Sequence, residues 1–269
     1  MDRKPIVAGQ FYPGTQQEWE AKVREYMQAE PGVDTVPAKL VMLPHAGHIF
    51  SGHVAGVTLS RAELAPTILL MGPNHTGLGK SGAVWPEGKW MLPGAHLDVD
   101  TALAKAIIDS DSELVADYEA HRAEHSLEVL LPFLWAKNPR TKIVPICISI
   151  TNRDTLQRIA RNIVQVIQGW KTQVSLVVSS DMSHFLSEDE AKSHDNLALQ
   201  AILNLDPEDL LDVVIRHQIS MCGILPMYIG LHTALALGAQ RAELVRYATS
   251  GDIIGDKSQV VGYAGVIVS

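Results

Sequence analysis

The chain has 269 residues, of which 46% are hydrophobic and 19% are charged, and its formal net charge is −8. This composition is typical of a folded globular protein and excludes the disordered class. An acidic chain without a dense Lys/Arg stripe is poorly suited to bind phosphate backbones, so nucleic acid is not an expected partner.

Two segments bear on the expected compartment. The basic residues near Met1 are not followed by an apolar export signal, because polar residues, Pro13 and Gly14 interrupt it. The longest uncharged stretch, Gln218–Gln240, contains Pro226, and a helix beginning there would be roughly 20 Å long, too short to cross a bilayer. We therefore expect a cytoplasmic protein without membrane contact, with a buried core helix in this stretch and reduced cysteines.

Apolar runs rich in β-branched residues predict strands, and capped or amphipathic segments between them predict helices. The strands are expected at Leu40–Leu43, Thr67–Met71, Ile143–Ile150, Ser175–Ser179, Leu244–Ala248 and Val260–Val268. The helices are expected at Asp100–Asp109, Glu124–Lys137, Asp154–Gln168, Glu188–Leu205, Pro207–His217 and Pro226–Leu237. The alternation predicts an α/β fold, a single domain over residues 1–269 with a largely parallel central sheet and helices on both faces.

His45, His75 and His184 each lie just beyond a predicted strand, beside small residues. Because the carboxyl ends of parallel strands share one edge of an open sheet, these side chains are expected to meet in a crevice that binds a ligand. Asp181 precedes His184 by three residues, a spacing at which a carboxylate can orient an imidazole or act beside it as acid or base. Any one of these histidines taken alone could instead be a cap or a surface residue.

Two further segments have two interpretations each. The acidic residues of Glu124–Glu128 could simply favour the start of a helix, or His125 or Glu128 could lie at the rim of the pocket, which makes His125 a catalytic candidate. Cys222 lies in a turn bounded by glycine and proline and could be an inert thiol, or a metal ligand or nucleophile next to a helix N-terminus.

Three other residues are expected to be structural. Cys147 lies in the middle of a predicted strand and is expected in the core. His48 and His53 are expected on or near a helix that follows His45, where a solvated or capping role is the simpler interpretation.

Seven motifs follow one another along nearly the whole chain: Val7-Ala-Gly-Gln-Phe-Tyr-Pro13, Pro44-His-Ala-Gly47, Gly72-Pro-Asn-His75, Glu124-His-Ser-Leu-Glu128, Ser179-Ser-Asp-Met-Ser-His184, Cys222-Gly223 and Tyr247-Ala-Thr-Ser-Gly-Asp252. In this order they resemble the Memo family, whose bacterial members are called AmmeMemoRadiSam system protein B. The resemblance implies a fold similar to the class III, LigB-type extradiol dioxygenases, which hold a non-haem iron(II).

The resemblance also implies roles for particular residues. His45, His75 and Cys222 match the metal pocket of the family, and His184, with Asp181 beside it, matches the acid/base position of the dioxygenases. Iron(II) is the implied metal, and copper and zinc are the alternatives. The chain departs from the dioxygenase pattern because a cysteine replaces a carboxylate ligand, and a thiolate lowers the potential of the metal and is itself oxidisable. Ring cleavage is therefore not carried over.

Three functions follow as hypotheses. The first is an iron(II)-dependent oxidoreductase of unknown substrate. The second is a non-catalytic binding or adaptor protein with a dioxygenase-like pocket, since family members are described as adaptors for phosphorylated peptides. The third is a zinc hydrolase, because cysteine, two histidines and water also form a catalytic zinc site. The expected partners are a small-molecule or peptide ligand in the pocket and, at the level of the family, AMMECR1-like and radical SAM proteins.

Overall fold

A sheet of eleven strands lies at the centre of the computed structural model, which describes residues 1–28 and 34–269. Its strands and those of a separate two-stranded sheet are β1 (Val36–Pro37), β2 (Leu40–Leu43), β3 (Ala62–Glu63), β4 (Thr67–Pro73), β5 (Gly82–Val84), β6 (Lys89–Leu92), β7 (Ala95–Val99), β8 (Val115–Ala116), β9 (Lys142–Ile148), β10 (Val174–Ser179), β11 (His184–Leu186), β12 (Ala242–Thr249) and β13 (Val260–Val268). The helices are α1 (Gln16–Tyr26), α2 (His48–Arg61), α3 (Thr101–Ser110), α4 (Glu119–Arg122), α5 (Leu131–Lys137), α6 (Arg153–Gln168), α7 (Glu188–Leu203), α8 (Pro207–Arg216), α9 (Ile224–Ala236) and α10 (Gly251–Ile254), with one 3₁₀ turn at Glu128–Leu130.

The middle of the large sheet is parallel. Strand β10 lies between β2 and β4, so that Val178 pairs with Met42 on one side and with Met71 on the other, and β9 continues the parallel order beyond β4. These strands are apolar along nearly their whole length because helices cover both faces of the sheet. Neither face is exposed to solvent, so apolar and polar residues do not alternate along the strands. On the far side of β2, β13 pairs antiparallel with β2, and β12 pairs antiparallel with β13 at the edge of the sheet.

Helices pack on both faces of this sheet. On one face α2 contacts β2, β12 and β13 and is flanked by α1 and α5, and on the other α9 contacts β10 and β4 and packs against α6. Gly230 of α9 allows the close approach, since a Cβ there would lie 2.6 Å from Leu40 Cδ1. The predicted α/β fold with a parallel central sheet between helical layers is confirmed. In residues 1–28 and 34–269, no helix combines the length and apolar character needed to cross a membrane.

The predicted helix Glu124–Lys137 is wrong in its first half. Residues 124 and 125 have no regular structure, residues 126 and 127 form a turn, a 3₁₀ turn begins at Glu128, and the α-helix begins only at Leu131. The reason is local, because the carboxylate of Glu124 accepts a hydrogen bond from the backbone N of Ser126 at 2.9 Å and so competes with helical geometry.

Two of the residues expected to be structural have well-defined surroundings. Cys147 is fully buried in β9, as expected. His48 begins α2, but the expected solvated role is wrong: its side chain is buried, and its Nε2 donates to the carbonyl of Val129 at 2.8 Å. Burial lowers the pKa of His48 to about 4, so the imidazole is a neutral part of the core.

Candidate metal centre

The order of the central strands brings the candidate residues together. Because β10 lies between β2 and β4, the segments that follow these three strands lie side by side at the carboxyl edge of the sheet. His45 follows β2, Asp181 follows β10 and His75 follows β4. The strand ends expected to lie together therefore belong to neighbouring strands of the sheet, although the strands are far apart in the sequence.

Three imidazoles converge at this edge. One ring nitrogen from each of His45, His75 and His125 lies within 4.8 Å of those of the other two. The ring centroids of His45 lie 5.2 Å from those of His75 and 5.6 Å from those of His125. His45 is 2% exposed, whereas His75 and His125 are 33% and 26% exposed, so the group has a closed floor and an open side. Such a group could hold a metal ion and still admit a ligand.

The hydrogen bonds of His45 determine which of its nitrogens faces the pocket. Its Nδ1 lies 2.7 Å from Ser179 Oγ, and that hydroxyl donates its own hydrogen to the carbonyl of Ser126 at 2.7 Å. Ser179 Oγ must therefore accept from His45, which places the hydrogen on Nδ1 and leaves the Nε2 lone pair free. Burial, together with the neighbouring His75 and His125, holds the pKa of His45 well below its usual value. The imidazole is neutral, as a metal ligand must be.

His75 has a charged partner instead. Its Nδ1 donates to Glu124 Oε1 at 2.9 Å, and its backbone N donates to Glu124 Oε2 at 2.6 Å. Burial alone would lower the pKa of His75, but the hydrogen bond and charge of Glu124 outweigh it and raise the pKa. Conversely, burial would raise the pKa of Glu124, but its bonds to His75 lower the pKa to about 2. Glu124 is therefore ionised and fixes a hydrogen on Nδ1 of His75, so Nε2 is the nitrogen that a metal would bind after displacing any proton held there.

His125 completes the group from the side of the pocket. Its ring stacks on that of His75, with centroids 4.9 Å apart and an interplanar angle of 24°. The ring centroid of Phe11 also lies 4.9 Å from that of His125. Its Nδ1 lies 3.5 Å from Glu124 Oε1, and burial lowers its pKa. Of the two interpretations of this segment, the structure supports placing His125 at the pocket, where it joins His45 and His75.

Glu128 does not lie at the rim, so that part of the interpretation is wrong. Its carboxylate is fully buried and accepts from Arg3 Nη1 at 2.7 Å and from Tyr12 Oη at 3.0 Å. It also accepts from the backbone N of Ile6 and of Val7, each at 3.0 Å. Glu128 therefore fastens the N-terminal segment to the core.

Cys222 contacts one member of the imidazole group. Its Sγ lies 3.3 Å from His45 Nε2 and accepts from the backbone N of Asp181 at 3.2 Å. Among the described residues, the group of donors that all lie within 4.8 Å of one another consists of the three imidazoles and does not include this sulfur. Burial and the charge of Asp181 raise the pKa of Cys222, so the thiol is neutral and a metal on His45 Nε2 would have to displace its proton.

The turn that carries Cys222 lies against the end of β10. The backbone N of Gly223 donates to Ser180 Oγ at 3.0 Å, and a Cβ on Gly223 would lie 2.5 Å from the carbonyl oxygen of Ser179. Only glycine permits this approach, which brings the N-terminus of α9 and Cys222 to the sheet edge.

His184 and Asp181 have different partners from those expected. His184 Nδ1 donates to the carbonyl of Ser220 at 2.9 Å, and its backbone N donates to Ser220 Oγ at 2.8 Å. Asp181 Oδ1 accepts from the backbone N of His45 at 2.7 Å, and burial raises the pKa of Asp181. The hydrogen-bond partner of the His184 ring is thus Ser220, whereas the Asp181 carboxylate bonds the backbone of His45 and acts on His184 through its charge. Ser220 orients His184, and Asp181 holds the loop of His45.

Glu124 and Ser179 were not predicted from the sequence as partners of the imidazoles. Glu124 adjoins His125, and Ser179 is the last residue of a predicted strand, so both stood beside recognised candidates. Their roles depend on which strands are neighbours, and a single sequence does not contain that information.

Comparison with known proteins identifies the family. The sequence model described as Memo-like protein matches residues 3–267. A MEMO1 family protein of Archaeoglobus fulgidus is 39% identical, with 98% of each chain covered. MEMO1 family proteins of Aquifex aeolicus and Methanopyrus kandleri are 36% and 35% identical, with 98% and 99% of each chain covered, respectively. The chain therefore belongs to the Memo-like protein family.

Proposed function

We propose that this protein is an iron(II)-dependent oxidoreductase whose metal is held at the three-imidazole edge of the sheet. The observation that carries the proposal is the convergence of His45, His75 and His125, with one nitrogen of each within 4.8 Å of the others. The hydrogen bonds of His45 and His75 leave Nε2 as the free nitrogen of each ring, which fits a metal. Imidazole donors suit iron, copper and zinc, and bound iron(II) supplies redox chemistry toward oxygen or an organic substrate.

Two ligand sets remain as proposals, and they share His45 and His75. In the first the third ligand is Cys222, as the family resemblance implies, and in the second it is His125, as the grouping of donor atoms favours. Cys222 is neutral and its Sγ lies 3.3 Å from His45 Nε2, so it enters the first set only by losing its proton to solvent when the metal binds. Either set occupies three positions and leaves others for a substrate.

The proposal assigns proton transfer to His184. Because Nδ1 donates to the carbonyl of Ser220, the other ring nitrogen is free to accept or release a proton. Asp181 lies on the same segment, and its raised pKa favours retention of a proton near the pocket. His125 is the second candidate for this role if Cys222 is the third metal ligand.

The test begins with the protein purified without added metal, whose metal content is measured, and continues with anaerobic titration of iron(II). One equivalent of bound iron(II), followed by oxygen consumption when air is admitted, supports the proposal. Tight binding of colourless zinc without oxygen consumption indicates the hydrolase instead. A protein that binds none of iron, copper or zinc indicates a binding or adaptor function for a small molecule or peptide. Association with AMMECR1-like and radical SAM proteins stays a family-level hypothesis, to be tested by co-purification.

A further inference from the structure

Glu124 is a carboxylate side chain that lies almost entirely inside the protein. It is 1% exposed, and its two oxygens accept from His75 Nδ1 at 2.9 Å, from His75 N at 2.6 Å and from Ser126 N at 2.9 Å. A buried carboxylate without partners is strongly disfavoured, and these three donors compensate for its burial. Two of the three belong to a candidate metal ligand.

The same carboxylate faces a second imidazole of the group. Oε1, which accepts from His75, also lies 3.5 Å from His125 Nδ1, and the two rings stack with centroids 4.9 Å apart. We propose that Glu124 is a shared positioning residue of the metal centre, which fixes the free nitrogen of His75 and holds His125 beside it. The inference rests on the proposed function only in that a metal binds at this group.

The partner of His45 provides an internal comparison. Ser179 offers a hydroxyl oxygen to His45, whereas Glu124 offers a carboxylate that accepts two hydrogen bonds from His75 and one from Ser126. Hydrogen bonds to an ionised group are stronger, and a carboxylate on the far nitrogen makes an imidazole a better electron donor to a metal. His75 is therefore the stronger of the two nitrogen donors, and loss of the charge on Glu124 costs more metal affinity than loss of the hydroxyl of Ser179.

The chain offers a matched control outside the site. Glu208 Oε1 accepts from His232 Nε2 at 2.9 Å, which is the distance between Glu124 and His75 Nδ1. His232 lies nine residues beyond Gly223 along α9, about 13 Å from the end of the helix that faces the site. Glu208→Gln therefore makes the same chemical change to a Glu–His pair without touching the imidazole group.

The experiment measures zinc(II) affinity by competition with a chromophoric chelator, and the folded state of each variant is checked by circular dichroism. Glu124→Gln is expected to weaken binding by about 10- to 100-fold, the usual effect of removing the outer partner of a ligand. Glu208→Gln and Ser179→Ala are expected to cost less than Glu124→Gln, and Glu208→Gln is expected to leave affinity at the wild-type value. With cobalt(II) as the probe, the visible absorption spectrum should shift in Glu124→Gln but not in Glu208→Gln.

A double-mutant cycle separates positioning from a general loss of stability. In a His75→Ala background Glu124→Gln should lower zinc affinity by a smaller factor than it does in wild type, because the main partner of the carboxylate is gone. A cost that persists in full, or a Glu124→Gln variant that binds zinc like wild type, overturns the inference. If Glu124→Gln does not fold, Glu124→Asp is used. This variant should bind zinc more weakly than wild type, and its effect on zinc affinity should also be smaller in the His75→Ala background. Wild-type protein that takes up no zinc overturns the metal site and this inference together, whereas wild-type binding with an insensitive Glu124 overturns the inference alone.

Discussion

Replacing Arg3 with methionine is expected to destabilise the whole protein, although Arg3 is close to the chain terminus. Arg3 is 3% exposed, and its Nη1 lies 2.7 Å from the fully buried carboxylate of Glu128. Its Nε donates to the carbonyl of His121 at 2.9 Å, and its guanidinium lies 4.4 Å from the ring centroid of Trp90. Arg3→Met retains much of the apolar volume but removes the charge and all of these donors.

The loss of unfolding free energy in Arg3→Met depends on how well the Glu128 carboxylate is compensated without Arg3. Breaking a buried ion pair by removing one partner typically costs about 3–5 kcal/mol, because an uncompensated charge stays in the interior. Glu128 would keep its bonds from Tyr12 Oη and from the backbone N of Ile6 and Val7. We therefore expect a loss at the lower end, about 3 kcal/mol of the free energy of unfolding.

Urea unfolding of wild type, Arg3→Met and the double variant Arg3→Met/Glu128→Gln provides the assay. In the double variant the unpaired charge is gone and an acceptor remains, so part of the lost free energy of unfolding should return. A loss below about 1 kcal/mol for Arg3→Met would place the pair in the class of exposed ion pairs and refute the argument from burial. Further destabilisation by Glu128→Gln in the Arg3→Met background would refute it as well.

Three further predictions concern pH, the thiol and the acid/base residue. Burial lowers the pKa of His48 and of His121 to about 4. As the pH falls below about 6.5, the unfolded chain takes up protons at these two residues and the folded protein does not, so the free energy of unfolding should decrease. The decrease should continue to about pH 4 and amount to at most about 1.4 kcal/mol per residue and pH unit. Urea unfolding at pH 7 and pH 5 measures this, and His121→Gln should flatten the dependence; an unchanged slope would contradict it. Cys222→Ser should weaken metal binding strongly if the sulfur is a ligand, because a neutral hydroxyl replaces a thiolate, and a metal stoichiometry equal to wild type would reject that role. His184→Ala should keep metal affinity within a few fold and lower oxygen-dependent turnover by roughly 10²-fold, whereas outright loss of the metal would make His184 a ligand.

The strands were predictable because their chemistry is local. Leu40–Leu43 and Val260–Val268 were predicted with the bounds that the structure shows, since a short continuous apolar run between turn signals is typical of a strand covered on both faces. Helix α1 was not predicted, because only Trp19 and Val23 of its eleven residues are buried and its apolar pattern is correspondingly weak.

The candidate site was predictable only in part, because local sequence patterns do not show which distant residues are partners. His45 and His75 could be singled out because each stands where an apolar run stops. The partner of His184 is Ser220, 36 residues further along the chain, and no spacing rule connects them. The segment that contains Glu124 and His125 had the composition of a helix start, and only its contacts with His75 show that it is a turn in the site.

In the proposed centre, one metal ion lies between Nε2 of His45 and Nε2 of His75. The most direct measurement is a crystal structure of the protein loaded anaerobically with iron(II), with diffraction data collected on both sides of the iron absorption edge. We expect one anomalous peak at about 2.0–2.3 Å from both Nε2 atoms, with Cys222 Sγ or His125 as the third ligand. Full-occupancy iron elsewhere in the molecule, or an imidazole group without a peak in protein that contains one equivalent of iron, would contradict it.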